Sequence, residues 1–282
     1  GMSRMLSKFI SGGLRKVGKY VDYGKDPFKE SWDVLVILDA CRPDYLGNVA
    51  EEEGLDWIGN VETRYSTASA SLEFVEKCMK PLPAGVRESM GVVTGNPHTD
   101  ILDANTFGAF RDVGATGWED KEEWLPPGPV TDAAISLWRE ENLDRMVVWY
   151  MQPHAPYPSL DTTDLPNREV QWSQLEYARA NELSDQTIRD AYADTLARVL
   201  EEVDVLRRNL AADEVVITAD HAELLGEYGL YSHPRDVPVP LLKRVPWVEL
   251  DATDEHTRTP EEYISVEVDE NINSRLEALG YR

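Results

Sequence analysis

Short apolar runs alternate along the chain with longer segments in which apolar residues recur at helical spacing. Runs of roughly four to eight residues that are rich in β-branched side chains are typical of buried strands. Such runs occupy residues 33–39, 57–62, 89–94, 145–151 and 214–219. Helical spacing covers residues 70–79, 130–141 and 185–210. Strands that alternate with helices favour an α/β fold, in which helices cover a mostly parallel sheet.

Polar side chains stand at the ends of three of these predicted strands. Asp39 closes the first strand, Asp220 and His221 follow the last, and His154 follows the fourth. Ligands bind outside the carboxyl ends of strands in open α/β sheets, because the loops there gather polar groups without burying them unpaired. Carboxylates with one imidazole suit Mn²⁺, Mg²⁺, Ca²⁺ or Zn²⁺ better than copper or an iron–sulfur cluster. The sequence therefore predicts one divalent metal ion, and it leaves the identity of that ion open.

Four segments carry motifs that occur in a recognisable order. They are 37–46 (ILDACRPDYL), 150–157 (YMQPHAPY), 218–234 (TADHAELLGEYGLYSHP) and 275–281 (RLEALGY). These segments resemble motifs of the alkaline phosphatase/sulfatase superfamily, and the resemblance covers roughly residues 32 to 282. It implies an alkaline-phosphatase-like three-layer sandwich, with a mostly parallel central sheet and helices on both faces. It also implies a single catalytic domain over residues 31–282, preceded by a distinct N-terminal segment over 1–30.

The resemblance also implies a site built around a hydroxyl nucleophile. Asp39, Asp220 and His221 would hold the metal ion together with that hydroxyl, in a region that here contains Thr67, Ser69 and Ser71. Aligned with the T-x-x-x-E-F pattern of lipoteichoic-acid-synthase-like relatives, Ser69 takes the position of the nucleophile. Thr67 is the second choice and Ser71 the third, and the alternative is that all three only cap a helix. One metal ion is implied rather than two, because the D-x-x-x-H element of two-metal relatives has no convincing counterpart.

Histidines supply the remaining candidate chemistry. His154 and His233 resemble the superfamily's substrate-side histidines, which donate to a non-bridging oxygen or protonate a leaving group. The alternative for each is a hydrogen bond that only holds a loop. His98 is a weaker candidate, and His256 in a polar tail is expected to be solvated. Arg42 is expected to form a structural ion pair rather than to bind the substrate.

The nucleophile region departs from the sulfatase pattern. Sulfatases need C-x-P-S-R or its serine counterpart, from which formylglycine is made, and neither 41–45 nor 69–73 provides it. An unmodified serine favours a metal-dependent hydrolase, or a phosphoryl-alcohol transferase, that acts on phosphate mono- or diesters. One alternative is a sulfatase. The other is a catalytically degenerate protein that binds an anionic glycan or lipid headgroup. The expected substrate is a small-molecule, glycan-linked or lipid-linked phosphate or sulfate ester.

The charge and composition of the chain limit its possible partners and the compartment in which it is expected. The 282 residues carry a formal net charge of −24, which excludes nucleic acid as a ready partner. Dense surface carboxylates predict adaptation to high salt, as in haloarchaeal proteins, and the alternative is an ordinary acidic mesophilic protein. The two cysteines lack C-x-x-C spacing, so a reducing compartment fits best. The sequence contains no apolar run long enough to span a bilayer and no recognisable signal peptide. The protein is therefore expected in the cytoplasm.

The first twenty residues reverse the sign of the charge. They contain Arg4, Lys8, Arg15, Lys16 and Lys19 and no acidic residue. Apolar residues recur there at helical spacing, which predicts a basic amphipathic helix. Residues 2–20 either pack on the acidic body, which we favour, or contact an anionic partner, which is a membrane surface at its inner face or another subunit.

Overall fold

A computed structural model describes residues 13–18, 20, 21, 23–114, 125–160 and 183–261. Seven strands form its main sheet: Val34–Leu38 (β1), Glu62–Tyr65 (β2), Met90–Thr94 (β3), Ala109–Asp112 (β4), Arg145–Tyr150 (β5), Val215–Thr218 (β6) and, last in the chain, Arg244–Leu250 (β9). Two short strands, Leu224–Leu225 (β7) and Tyr231–Ser232 (β8), form a separate hairpin. The order of the main sheet is β2-β9-β6-β1-β5-β3-β4.

Helices connect these strands. They are Pro43–Glu52 (α1), Ser71–Phe74 (α2), Ala84–Glu88 (α3), Gly128–Glu140 (α4), Asp185–Arg207 (α5) and Pro240–Lys243 (α6). A π-helical turn, Val75–Met79, continues α2. Further 3₁₀ turns lie at Pro27–Lys29, Pro97–Ile101, Ala104–Thr106 and Glu227–Gly229.

Parallel pairing aligns the strand ends that carry the candidate site. Strand β1 pairs in parallel with β5 and β6, and β3 pairs in parallel with β4 and β5. Only β9, among the described strands of this sheet, runs antiparallel to its neighbours β6 and β2. The carboxyl ends of β6, β1, β5 and β3 therefore lie side by side at one edge.

Both faces of the sheet are covered, which explains the unbroken apolar run of β1. Val34 and Val36 face a core that includes Leu200 of α5. Leu35 faces the opposite core, which includes Phe74 of α2. A strand that is buried on both faces reads as a continuous apolar sequence rather than an alternating one. The predicted three-layer sandwich, a mostly parallel central sheet with helices on both faces, is confirmed.

The sequence located four main strands well and missed others. The strand predicted at 57–62 is wrong: hydrogen bonds from Leu55 and Ile58 to carbonyls three to five residues back turn the chain there, and β2 begins only at Glu62. Strand β4 was missed because it is a half-buried edge strand of mixed polarity. Strand β9 was missed because Pro246 and Glu249 interrupt its apolar pattern.

The described part of the N-terminal segment packs in part on the body. Residues 13–18 are helical, and Leu14 packs against the cluster that contains Val237. Val17 and Tyr20 are 51% and 90% exposed. Other residues of the predicted helix 2–20, and the C-terminal motif 275–281, lie outside the described residues. In the described ranges, no helix has the length and apolar character needed to cross a bilayer.

Candidate active site

Three side chains at the ends of two adjacent strands form a buried cluster, which we call the acidic cluster. Asp39 follows β1, and Asp220 and His221 follow β6 closely. All three are completely buried. Nε2 of His221 lies 3.2 Å from Oδ2 of Asp220 and 3.6 Å from Oδ1 of Asp39. The structure thus brings together these three predicted metal ligands.

Ser71 lies against all three members of the acidic cluster. Its hydroxyl donates to Oδ2 of Asp220 at 2.7 Å, and it lies 3.3 Å from Oδ2 of Asp39 and 3.2 Å from Nε2 of His221. Ser71 is the first residue of α2 and is fully buried. The preceding Ala70 is extended, with φ −156° and ψ 156°, so the backbone changes direction at this serine.

The structure does not place Ser69 in the acidic cluster, where the sequence had placed it. Its Oγ lies 3.0 Å from both Oε2 of Glu73 and the carbonyl oxygen of Pro234. Thr67, the second choice, contacts a buried cysteine sulfur at 3.1 Å. The prediction located the correct segment but the wrong hydroxyl for the cluster, because the helix begins two residues after Ser69. Ser71 replaces Ser69 among the candidate metal ligands.

The donor set fits a divalent cation. Oδ1 of Asp39 is buried and has no hydrogen-bond partner among the described residues. Nδ1 of His221 lies 2.8 Å from the carbonyl oxygen of Ala222. That contact assigns the proton to Nδ1 and leaves Nε2 to face the carboxylates, which is how histidine ligands are commonly oriented. A cation would bind the unpartnered oxygen and balance two buried negative charges.

Electrostatics lead to the same requirement for positive charge. Burial and the nearby Asp220 raise the pKa of Asp39 well above its ordinary value. Burial opposes ionisation of Asp220, but the charge on His221 and the hydrogen bonds to Asp220 together outweigh it and lower the pKa of Asp220. Burial likewise opposes protonation of His221, yet Asp220 raises the pKa of His221 to about 10. The acidic cluster therefore holds either a proton on His221 or a metal ion in its place.

Asn96 is a site residue that the sequence did not reveal. It lies beyond the end of β3, and its Nδ2 donates to Oδ2 of Asp39 at 2.7 Å. Nε1 of Trp149 donates to the same oxygen at 3.3 Å, and Oδ1 of Asn96 accepts from the amide of His98 at 2.8 Å. These bonds hold Asp39 with its other oxygen toward His221. The signal was available, because Asn96 is a polar residue just after a predicted strand.

His154, Glu223 and His233 form a second buried group beside the first. Nδ1 of His233 lies 3.0 Å from Oε2 of Glu223. The ring of His233 stacks on that of His221 at 4.3 Å and meets that of His154 at 4.9 Å. The β7–β8 hairpin explains the pairing, because Glu223 precedes its first strand and His233 follows its second. Within each of the two groups, the ligand atoms lie within 4.8 Å of one another.

Burial determines the charge of this second group. It raises the pKa of Glu223 to about 7 and lowers the pKa of His154 to about 3. Burial, followed by the charge on His221, lowers the pKa of His233 well below its ordinary value. Both histidines are therefore neutral near pH 7, and each ring carries one N–H and one unprotonated nitrogen. Such a group can bind an anionic oxygen or ligate a second cation.

The other residues considered from the sequence have clear places. His98 lies near the site, where burial and then His233 lower the pKa of its imidazole to about 4. The side chain of His256 is 75% exposed, as expected. Arg42 pairs with Asp44 at 2.7 Å and with Glu227 at 2.5 Å, which confirms the structural ion pair.

Comparison with known proteins identifies the fold. No protein-family model matches the sequence, and no curated protein matches it. The soluble domain of lipooligosaccharide phosphoethanolamine transferase A from Neisseria meningitidis aligns with a TM-score of 0.54 and 14% identity, over 80% of this chain and 78% of that domain. A 2-O GAG sulfatase aligns with a TM-score of 0.53 and 14% identity, over 79% of this chain and 64% of the sulfatase.

A longer form of the transferase also aligns. The integral membrane protein from Neisseria meningitidis matches with a TM-score of 0.51 and 18% identity, over 89% of this chain and 55% of the transferase. The chain thus spans about half the length of that protein. The likeness is one of fold: this chain has the fold of phosphoethanolamine transferases and sulfatases, which belong to the alkaline phosphatase/sulfatase superfamily. The resemblance expected from the sequence motifs is confirmed at that level.

Removal of one carboxylate should abolish metal retention by the acidic cluster. We expect Asp220→Asn to lose its metal on dialysis, because a neutral amide neither balances the cation's charge nor binds it as strongly. Metal content per chain, measured by inductively coupled plasma mass spectrometry, is the readout. His256→Ala is the control and should retain the wild-type content. The metal content of His233→Gln shows whether the second group also binds a metal ion. Wild-type metal affinity in Asp220→Asn would contradict the assignment of the acidic cluster.

Proposed function

We propose that this chain is a metal-dependent hydrolase or phosphoryl-alcohol transferase of phosphate mono- or diesters, with Ser71 as its nucleophile. The observation that carries the proposal is the buried hydroxyl of Ser71, 2.7 Å from Asp220 and within 3.3 Å of both Asp39 and His221. A hydroxyl among candidate metal ligands is the arrangement that metal-assisted nucleophilic catalysis requires. The fold shared with phosphoethanolamine transferases and sulfatases supports ester chemistry of this kind.

The residues of the acidic cluster have distinct tasks in this mechanism. A bound divalent cation lowers the pKa of a hydroxyl and offsets charge on the ester oxygen. Asp220 accepts the proton of Ser71, whose hydroxyl already donates to it. Oγ of Ser71 attacks phosphorus, the bond from phosphorus to the leaving alcohol breaks, and a phosphoserine forms. Water resolves that phosphoserine in a hydrolase, and an acceptor alcohol resolves it in a transferase.

The second group would act on the substrate side. When protonated Glu223 donates to Nδ1 of His233, Nε2–H of His233 can donate to a non-bridging oxygen, whereas the N–H of neutral His154 already faces the carbonyl oxygen of Ala155. Glu223, whose pKa is about 7, contacts His233 and can supply the proton that the leaving alcohol takes up. A general acid with a pKa near neutrality is effective at physiological pH. This proposal gives His233 the catalytic role expected from the sequence.

Sulfate esters are the second candidate class of substrate. One of the structural neighbours is a 2-O GAG sulfatase, and the second group can contact a sulfate oxygen as well as a phosphate oxygen. The segment that begins at Ser71 reads SLEFV and lacks the Pro and Arg of the formylglycine motif. An unmodified serine therefore favours phosphate over sulfate. A protein that only binds an anionic glycan or lipid headgroup is the remaining alternative.

A lipid-linked or glycan-linked ester is the substrate class that the neighbours suggest. One neighbour is named for lipooligosaccharide and another for GAG. Gly18 packs against the carbonyl of Asp236, which stands three residues after His233. Val17 and Tyr20, on either side of Gly18 in the sequence, are exposed. We propose that the N-terminal segment packs on the body through Leu14 and Gly18 and that its exposed Val17 and Tyr20 contact anionic lipid at the inner face of a membrane, which would hold the candidate site near a lipid-linked substrate.

Substitution of Ser71 should remove turnover. We expect Ser71→Ala to lower kcat on the order of 10³-fold or more, because it deletes the attacking atom. Thr67→Ala, the matched control, should change the activation free energy by roughly 1 kcal/mol or less. Paired aryl phosphate, phosphodiester and sulfate substrates, each assayed with Mn²⁺, Mg²⁺, Ca²⁺ or Zn²⁺, provide the measurement. Wild-type turnover in Ser71→Ala would refute the nucleophile, and turnover restricted to sulfate would support the second class.

Loss of the exposed apolar side chains should weaken membrane contact. We expect the wild-type chain to co-sediment with vesicles that contain anionic phospholipid, and Val17→Ser/Tyr20→Ser to bind several-fold less. The packed Leu14 and Gly18 are left intact in that variant. Val86→Ser removes a comparably exposed side chain from α3 and should bind as the wild type does. Equal sedimentation of all three proteins would exclude the membrane contact.

A further inference from the structure

A buried polar connection links the segment that carries Ser71 to the loop that follows His233. Oγ of Ser69 lies 3.0 Å from the carbonyl oxygen of Pro234 and accepts from the amide of Val237 at 3.1 Å. The same hydroxyl lies 3.0 Å from Oε2 of Glu73, so its single proton is shared between two acceptors. Ser69 is 1% exposed, so these bonds form away from water.

Glu73 forms the other half of this connection. Its Oε2 accepts from the amide of Ser69 at 2.9 Å and from the amide of Asp236 at 3.3 Å. Its Oε1 pairs with Nζ of Lys77 at 2.9 Å. A charged carboxylate with strong donors on both oxygens is a rigid junction.

The positions of these two residues matter as much as their bonds. Ser69 stands two residues before Ser71, and Glu73 stands two residues after it. Their partners, 234–237, begin at the residue directly after His233. The connection therefore spans the chain on both sides of Ser71 and fixes one end of the His233 loop against it. Helix capping alone would explain the bond to the amide of Ser69, but it does not require the bonds to 234–237.

We propose that Ser69 and Glu73 are positioning residues, which set the imidazole of His233 relative to Ser71. This proposal rests on the proposed function for its catalytic consequence, but its geometric consequence can be tested separately. The serine that the sequence motif selected as nucleophile would then serve the reaction through its hydrogen bonds. Misplacement of a catalytic group by about 1 Å can lower a rate on the order of 100-fold.

Histidine ring NMR tests the geometry without any turnover. The chain has five histidines, so ¹³C-labelled histidine gives few ring signals, and His233→Gln assigns the one of interest. We expect Ser69→Ala and Glu73→Gln each to shift or broaden the His233 signal while the exposed His256 signal stays in place. Ser69→Thr, which keeps the hydroxyl, should restore the wild-type signal. An unmoved His233 signal in both Ser69→Ala and Glu73→Gln would overturn the proposal.

Two matched variants separate positioning from general destabilisation. Thr195→Ala removes a buried hydroxyl that bonds within α5, and Asp132→Asn removes a buried carboxylate that pairs with Arg258. Both should leave the His233 signal and kcat unchanged, even where the melting temperature falls. Ser69→Ala and Glu73→Gln should lower kcat about 10- to 100-fold and retain wild-type metal content.

The outcomes distinguish this proposal from the proposed function. A moved His233 signal together with wild-type kcat would refute a positioning role. A wild-type protein without turnover of any phosphate or sulfate ester would count against the proposed function, and the NMR comparison would still decide whether the connection sets His233.

Discussion

Two fully buried carboxylates, Asp39 and Asp220, lie together at the ends of adjacent parallel strands. The rest of the candidate site depends on how their negative charges are compensated. Like charges in a low-dielectric interior repel strongly, so the two groups need a compensating positive charge. Without a metal ion, a proton on His221 provides it, and the two carboxylates, Asp220 more than Asp39, raise the pKa of that imidazole to about 10. The hydroxyl of Ser71 lies within the same set of candidate ligands. A divalent cation would satisfy the carboxylates and activate the hydroxyl at once.

The surrounding structure serves to hold this unfavourable arrangement in place. Asn96 and Trp149 both donate to one oxygen of Asp39, which leaves the other oxygen free to bind a cation. The β7–β8 hairpin closes Glu223 and His233 onto the same region. Each of these bonds comes from a different strand end or loop. The central sheet is therefore the scaffold that makes the site precise, and the loops supply its chemistry.

The sequence predicted the sheet and the acidic cluster because both depend on local patterns. A strand that is buried on both faces has a continuous apolar sequence, so a polar residue at its end is easily recognised. Strand β4 depends instead on long-range packing, which no local pattern records. The position of Asn96 after a predicted strand was visible in the sequence, but its pairing with Asp39 was not. In the second group, His154 lies beside Glu223 and His233, which come more than sixty residues later in the chain. The spacing of these residues in the sequence could not predict that arrangement.

The choice among the hydroxyls shows where a sequence pattern stops being informative. The i, i+4 relation between Ser69 and Glu73 is real, because the two side chains are bonded at 3.0 Å. It records a structural bond, whereas the acidic cluster receives Ser71, the first residue of the helix. Helix boundaries are the least predictable feature of a sequence, and a shift of two residues here exchanges one serine for another.

Location of the covalent intermediate is the most direct test of the central claim. The protein is quenched in acid during turnover of an aryl phosphate, and the modified peptide is identified by mass spectrometry. Phosphate on Ser71 is the expected result, because that hydroxyl alone among the three candidates lies within the acidic cluster. Phosphate on Ser69 or Thr67, or formylglycine at any of the three positions, would contradict it.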